Sequence, residues 1–233
     1  MEHLKPVIRS TGAAVLMSGL AVASGRLLRM PLAVQLQPDS TAMVFATALC
    51  FVLAGLALLA PVHAPRAGRY GRRAVNIALA EIVMPPLLAT LSGATSPWDF
   101  PGLHGWLNDG NPRQGRTAPN TAIAFLLAGA MFWFVSSPNV RAPFASRVVL
   151  VLLVMVVGTG LLSFWLRTPI IFNGSCTRMA FPMALGLLVL GIGLWNLATR
   201  RMSVHPPERA ITRTAAYTMM VGVPVAGFAV FVA

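Results

Sequence analysis

Acidic side chains are scarce in this sequence. Of 233 residues only six are Asp or Glu, lysine occurs once, at Lys5, and charged residues make up 10% of a chain that is 56% hydrophobic. That leaves too little polar surface to cover a water-soluble globule of this length. The four histidines, His3, His63, His104 and His205, fall in loops or at the edges of apolar stretches. The sequence therefore offers no histidine inside a bundle to hold haem and no lysine there for a retinal Schiff base. No Cys/His/Asp/Glu pair has metal-ligand spacing, so neither metal nor other cofactor is expected. Of the two cysteines, Cys50 reads as a small packing residue within an apolar stretch and Cys176 as a free thiol in a loop. No hydrophilic run exceeds about 25 residues, which leaves no room for a soluble catalytic domain, and no enzyme activity is expected.

What the chain does have is long apolar runs. A hydrocarbon core of roughly 30 Å needs about 20 apolar residues as helix. Seven such windows occur, at 11–28, 41–60, 74–93, 118–136, 148–166, 180–198 and 214–232. The sequence predicts an all-α integral membrane protein, a single multi-spanning domain over 1–233 made of three helical hairpins and one extra helix. Lys5 and Arg9 ahead of the first window imitate a signal peptide, but the continuation and the six later windows argue that it is retained.

The net charge of +12 lies in the loops. Lys5, Arg9, Arg66, Arg69, Arg72, Arg73, Arg141, Arg147, Arg200, Arg201, Arg209 and Arg213 fall on one side of the seven crossings. Arg26, Arg29, Arg113, Arg116, Arg167 and Arg178 fall on the other, with Asp39, Asp99 and Asp109. The positive-inside rule then places the N-terminus in the cytoplasm and the C-terminus in the periplasm, as expected for a bacterial inner-membrane protein. The basic loops are read as resting on anionic headgroups, and nucleic acid is not an expected partner.

One cassette occurs three times: "MVFATALCFVLAG" ending at Gly55, "RTAPNTAIAFLLAG" ending at Gly129 and "RMAFPMALGLLVLG" ending at Gly191. Its columns are Thr47, Thr121 and Met183; Ala48, Ala122 and Ala184; Cys50, Ala124 and Gly186; Phe51, Phe125 and Leu187; Gly55, Gly129 and Gly191. In lipid, helices approach through small residues, so the Ala48, Cys50, Gly55, Ala122, Ala124, Gly129, Ala184, Gly186 and Gly191 positions are expected to pack each copy against its hairpin partner. At the head of the cassette, Pro119 suits the first helical turn, and Thr47 and Thr121 are placed to bond free amides. Arg116 and Arg178 can reach headgroups.

The segments "GRTAPNTAIAFLLAGA" at 115–130 and "TRMAFPMALGLLVLGIGL" at 177–194, with the aromatic and acidic "WDFPGLHGWL" at 98–107, resemble the N-terminal multi-spanning, MASE-like input region of bacterial diguanylate cyclases and PAS-containing sensor histidine kinases. The likeness covers roughly residues 95–200. It implies a sensory membrane architecture and brings no assigned catalytic or ligand residues with it. The cytoplasmic signalling domains of that family have no counterpart here, so this chain by itself is not expected to make cyclic di-GMP or transfer phosphate.

Glu81 is the single ionisable residue well inside a window, and an intramembrane carboxyl marks a candidate functional site. Pro85 and Pro86 follow it and deprive the Glu81 and Ile82 carbonyls of their helical partners, which predicts a kink with local polarity. Unless Arg73 or Arg147 bends inward to it, Glu81 is expected to be protonated, or hydrogen-bonded to Asn, Ser or Thr of a neighbouring helix, or in contact with a partner subunit. Trp98 and Trp106, with Phe100, Leu103 and Leu107, are expected to lie along the outer interface as an aromatic anchor. Three function classes follow: a sensor-type module without an output domain, an accessory subunit of a larger membrane complex, and a small channel or carrier using Glu81. Expected partners are the lipid bilayer and another membrane protein or a second copy.

Overall fold

A computed structural model describes residues 4–35, 41–60, 65–107, 114–137, 142–166 and 179–204. Its helices are α1 (Leu4–Leu27), α2 (Pro31–Val34), α3 (Phe45–Leu59), α4 (Pro65–Ser92), α5 (Pro101–His104), α6 (Pro119–Ser136), α7 (Ala142–Leu166) and α8 (Phe181–Val204), with a short 3₁₀ turn at Pro97–Asp99. Among the described residues there is no strand. Five helices, α1, α4, α6, α7 and α8, are long and apolar enough to cross a membrane, and the protein is an all-α membrane protein. The predicted span at 214–232 lies outside the described residues.

Several boundaries differ from the hydropathy windows. α1 and α4 begin earlier than the apolar run, and α7 and α8 are longer than predicted, because a helix continues through charged residues that hydropathy excludes. The second window shortens instead. α3 has 15 residues, about 22 Å at the usual rise, because residues 41–44 are extended, with Val44 at φ −80° and ψ 154°. α4 runs through Pro85 and Pro86 as one helix.

The three cassettes begin their helices at one register. Phe45, Pro119 and Phe181 are the first helical residues of α3, α6 and α8, at corresponding columns of the repeat. Each preceding residue accepts the same first bond: Ala48 N donates to Val44 O at 3.1 Å, Ala122 N to Ala118 O at 3.0 Å and Ala184 N to Ala180 O at 3.1 Å. Thr47 and Thr121 sit at the third helical position, one turn too late to cap. The Thr121 hydroxyl instead lies 3.2 Å from Met183 Sδ, which joins two members of one column across the bundle.

α3, α6 and α8 touch one another at the centre, and α1, α4 and α7 surround them. Each outer helix packs on its own hairpin partner and on one neighbouring inner helix: α1 on α3 and α8, α4 on α6 and α3, α7 on α8 and α6. The result is pseudo-threefold. The Phe51, Phe125 and Leu187 column is fully buried, and the Phe51 and Phe125 rings meet edge to face at 5.1 Å. One helical turn on, Ala54, Ala128 and Leu190 form a second buried layer.

Glycine sets the tightest seam, between α1 and α3. A Cβ added to Gly19 would lie 2.7 Å from Ala48 O, and one added to Gly55 would lie 2.6 Å from Leu16 N. Backbones in such contact gain dispersion that any larger side chain would remove. Ala48, Cys50, Ala122, Ala124 and Ala184 are buried. Gly129 approaches Asn76 of α4, its hairpin partner, and Gly186 lies against the Phe51 ring. Gly191 departs from the expectation: nothing lies within 4 Å of its added Cβ, whereas Gly193 meets Leu58 and Thr11. Two residues further along, α8 has rotated by about 200°, so the close approach to α1 and α3 moves to Gly193.

Candidate functional site

At the end of the bundle where α3, α6 and α8 begin, the segment linking α4 to α6 folds inward. Ser96 opens the 3₁₀ turn as a reciprocal cap: Trp98 N donates to Ser96 Oγ at 3.3 Å, and Ser96 N donates to Asp99 Oδ2 at 3.0 Å. This S-x-x-D box leaves the Asp99 carboxylate facing the protein. Arg116 meets it, with Nη2 2.7 Å and Nε 3.3 Å from Asp99 Oδ2, while Nη2 also donates to Ala94 O at 2.6 Å. Both residues are buried, Arg116 at 4% exposure and Asp99 at 8%. Such a pair in a low-dielectric setting is held by geometry, because each charge has left water behind.

Gly115 makes this approach possible. Its φ is +79°, and an added Cβ would stand 1.8 Å from Asp99 O, so only glycine fits both the left-handed backbone and the contact. Phe100 adopts φ +43° just before Pro101, a conformation costing about 1–2 kcal/mol for a residue with a side chain. Its ring is fixed between Trp98 at 5.6 Å and Phe45 at 5.5 Å, edge to face with each.

Beside the ion pair, His104 is 1% exposed. Its Nε2 accepts a long hydrogen bond, 3.4 Å, from the backbone N–H of Phe45, the first residue of α3. An imidazole that accepts at Nε2 carries its proton on Nδ1, and that buried Nδ1 has no hydrogen-bond partner among the described residues. Burial pushes the His104 pKa from 6.5 down to about 4, the Arg26 charge acts in the same direction, and Asp99 opposes both. Arg26, from the last turn of α1, is 1% exposed and donates from Nε and Nη2 to Met43 O at 3.1 and 3.0 Å. α1, the extended lead into α3, the 94–107 loop and the head of α6 are thereby tied into one buried polar latch.

Most of these residues were expected elsewhere. Arg116 turns inward rather than out to headgroups, with Nε and Nη2 both on Asp99 Oδ2 and Nη2 also on Ala94 O, charge-assisted bonds stronger than neutral ones. Trp98 and Trp106 are half-buried against the core, and Trp106 Nε1 donates to Leu103 O at 3.0 Å, so part of each indole is turned into the protein. His104 and Arg26, read as loop groups, are among the most buried polar residues. Arg178 and Cys176 lie outside the described residues. The one signal that could have found the latch is the capping box at Ser96–Asp99 with a Gly-Arg pair downstream.

Glu81 departs the other way. It is exposed, on the outer side of α4, and among the described residues it has no hydrogen-bond or ion-pair partner. The expected bond to Asn, Ser or Thr of a neighbouring helix is not made, because α4 turns its Leu79, Ile82, Val83 and Pro86 side to α3 and α6.

The opposite end of the bundle is basic. Arg72 Nη2 donates to Ala60 O at 3.2 Å, and the Arg73 guanidinium lies 4.9 Å from the centre of the Trp133 ring. Among the described residues no group of three His, Cys, Asp or Glu is placed to hold a metal ion. Comparison with protein-family models, curated proteins and solved structures finds no match.

Proposed function

We propose that this chain is a sensor-type membrane module without catalytic activity, set in the bacterial inner membrane. The basic end lies in the cytoplasm by the positive-inside rule, and the polar latch faces the periplasm. On this reading the N-terminus is cytoplasmic, and a seventh crossing over 214–232 would bring the C-terminus to the periplasm. The observation that carries the proposal is the cluster of buried ionisable groups at one end of the bundle, the Arg116–Asp99 pair and, beside it, His104, whose Nε2 accepts from the first amide of α3. Ionisable groups buried in a loop that also holds the end of a central helix give an external chemical change a mechanical connection to the bundle. The motif likeness to sensor input regions points the same way.

The test is a distance measurement across the far end, with spin labels at Val7→Cys on α1 and Phe144→Cys on α7 in liposomes. Asp99→Asn, which keeps shape and removes charge, is expected to change that distance distribution. An unchanged distribution, with the latch demonstrably opened by the substitution, overturns the sensory reading.

A subunit role in a larger membrane complex is favoured by a separate observation, the outward-facing Glu81. A channel or carrier role gains nothing from it, since Glu81 stands on an outer helix away from the central triad.

A further inference from the structure

Ile77, Glu81, Met84, Leu88 and Leu91 follow one another at intervals of three and four residues along the outside of α4. The apolar members are well exposed, from 37% at Met84 to 74% at Leu91. A helix side of this kind is ordinary against lipid chains, except for the carboxyl in its middle. The arginine cluster of α4 ends at Arg73 and the helix ends at Ser92, so Glu81 stands roughly 12 Å from one and 16 Å from the other. Its short side chain cannot snorkel to either interface as a lysine or arginine would. Arg73, two turns away, is engaged with Trp133.

Among the described residues none supplies Glu81 with a partner at that depth. The apolar interiors of α1, α3, α6, α7 and α8, and the 214–232 stretch, contain no Lys, Arg or His. A second copy related by a twofold axis in the membrane would offer only another Glu81, and two carboxyls hold each other only through a shared proton, with no opposite charge between them. Charge complementarity therefore calls for a different chain.

We infer that the Ile77–Leu91 side of α4 is a docking surface for a transmembrane helix of another protein that carries Arg, Lys or His near mid-membrane, opposite Glu81. Polar side chains are what hold helices together where the solvent is itself apolar, and an intramembrane acid is satisfied by a cation or a strong donor. The inference deepens the subunit reading and does not depend on the sensory one.

The experiment places a photo-crosslinking benzoylphenylalanine at Met84 or Leu88 of the full chain in its native membrane, with Met17 on α1 and Val154 on α7 as exposed controls. The α4 positions are expected to give one protein adduct whose crosslinked segment contains a basic residue. Glu81→Leu, and neutralisation of that basic residue, should each lower the yield at least tenfold. A thermal melt of the Glu81→Leu protein in detergent, expected unchanged, separates lost docking from lost folding. Adducts only with lipid, with a second copy or with residues 205–233 overturn the inference, as does a partner segment lacking any basic residue or a yield indifferent to Glu81→Leu. Failure here leaves the distance measurement on the latch, and the reading it tests, untouched.

Discussion

Asp99 and Glu81 are the two acids among the described residues, and their surroundings are reversed from what position along the chain suggests. The loop acid is buried, paired with Arg116 and built into a cap. The acid in the middle of an apolar helix faces outward, with no partner among the described residues. The difference teaches that depth along a helix and burial within a bundle are separate coordinates: hydropathy reports the first, and helix rotation decides the second.

Removing one member of the buried pair should have the largest effect. Arg116→Ala strands a carboxylate away from water, a loss of about 3–5 kcal/mol for broken buried pairs, readable as a lowered unfolding midpoint in detergent. Removing both charges together with Asp99→Leu and Arg116→Met should recover most of it, and an additive double variant would deny the coupling.

Acid probes the same region through His104. Its pKa is lowered in the fold, so the neutral form stabilises the folded state fully above pH 6.5, and that contribution is lost as pH falls toward and through about 4. The whole shift corresponds to about 3 kcal/mol. Thermal midpoints measured from pH 7.5 to 4 should fall for the native chain and fall less for His104→Gln, which keeps an acceptor without a titrating group. Parallel curves for the two would show that other groups dominate.

Gly115→Ala should cost about 2 kcal/mol, from the positive φ and from the collision with Asp99 O. Its mark would be protease sensitivity confined to the 94–116 connection before global unfolding. The smallest effect belongs to Glu81→Gln, expected within about 0.5 kcal/mol for the isolated chain, as for an outward position. A destabilisation comparable to that of Arg116→Ala would erase the contrast between the two acids.

Much of the architecture was legible in the residues. Each cassette opens one of the helices α3, α6 and α8, although α3 begins four residues later than its window, and seven of the nine small residues are buried while Gly186 and Gly191 are half-buried. Gly191 was misassigned because the alignment extends one column beyond the point where α8 keeps the same side toward its neighbours. Thr47 and Thr121 misled because a cap depends on which residue stands one place outside the helix, a detail of one residue in register. The site was nearly illegible. A scale averaged over windows counts Asp99, His104 and Arg116 as solvent-seeking, and only contacts between segments up to 59 residues apart turn them inward.

The order of helix contacts also bears on biogenesis. Each hairpin finds its partner within the stretch of chain just inserted, so α1 with α3, α4 with α6 and α7 with α8 can pair as they leave the translocation machinery. The contact of α1 with α8 is different, since the earliest helix must wait for the last of the described ones. A chain halted before α8 is therefore expected to leave that side of α1 uncovered by its later helix.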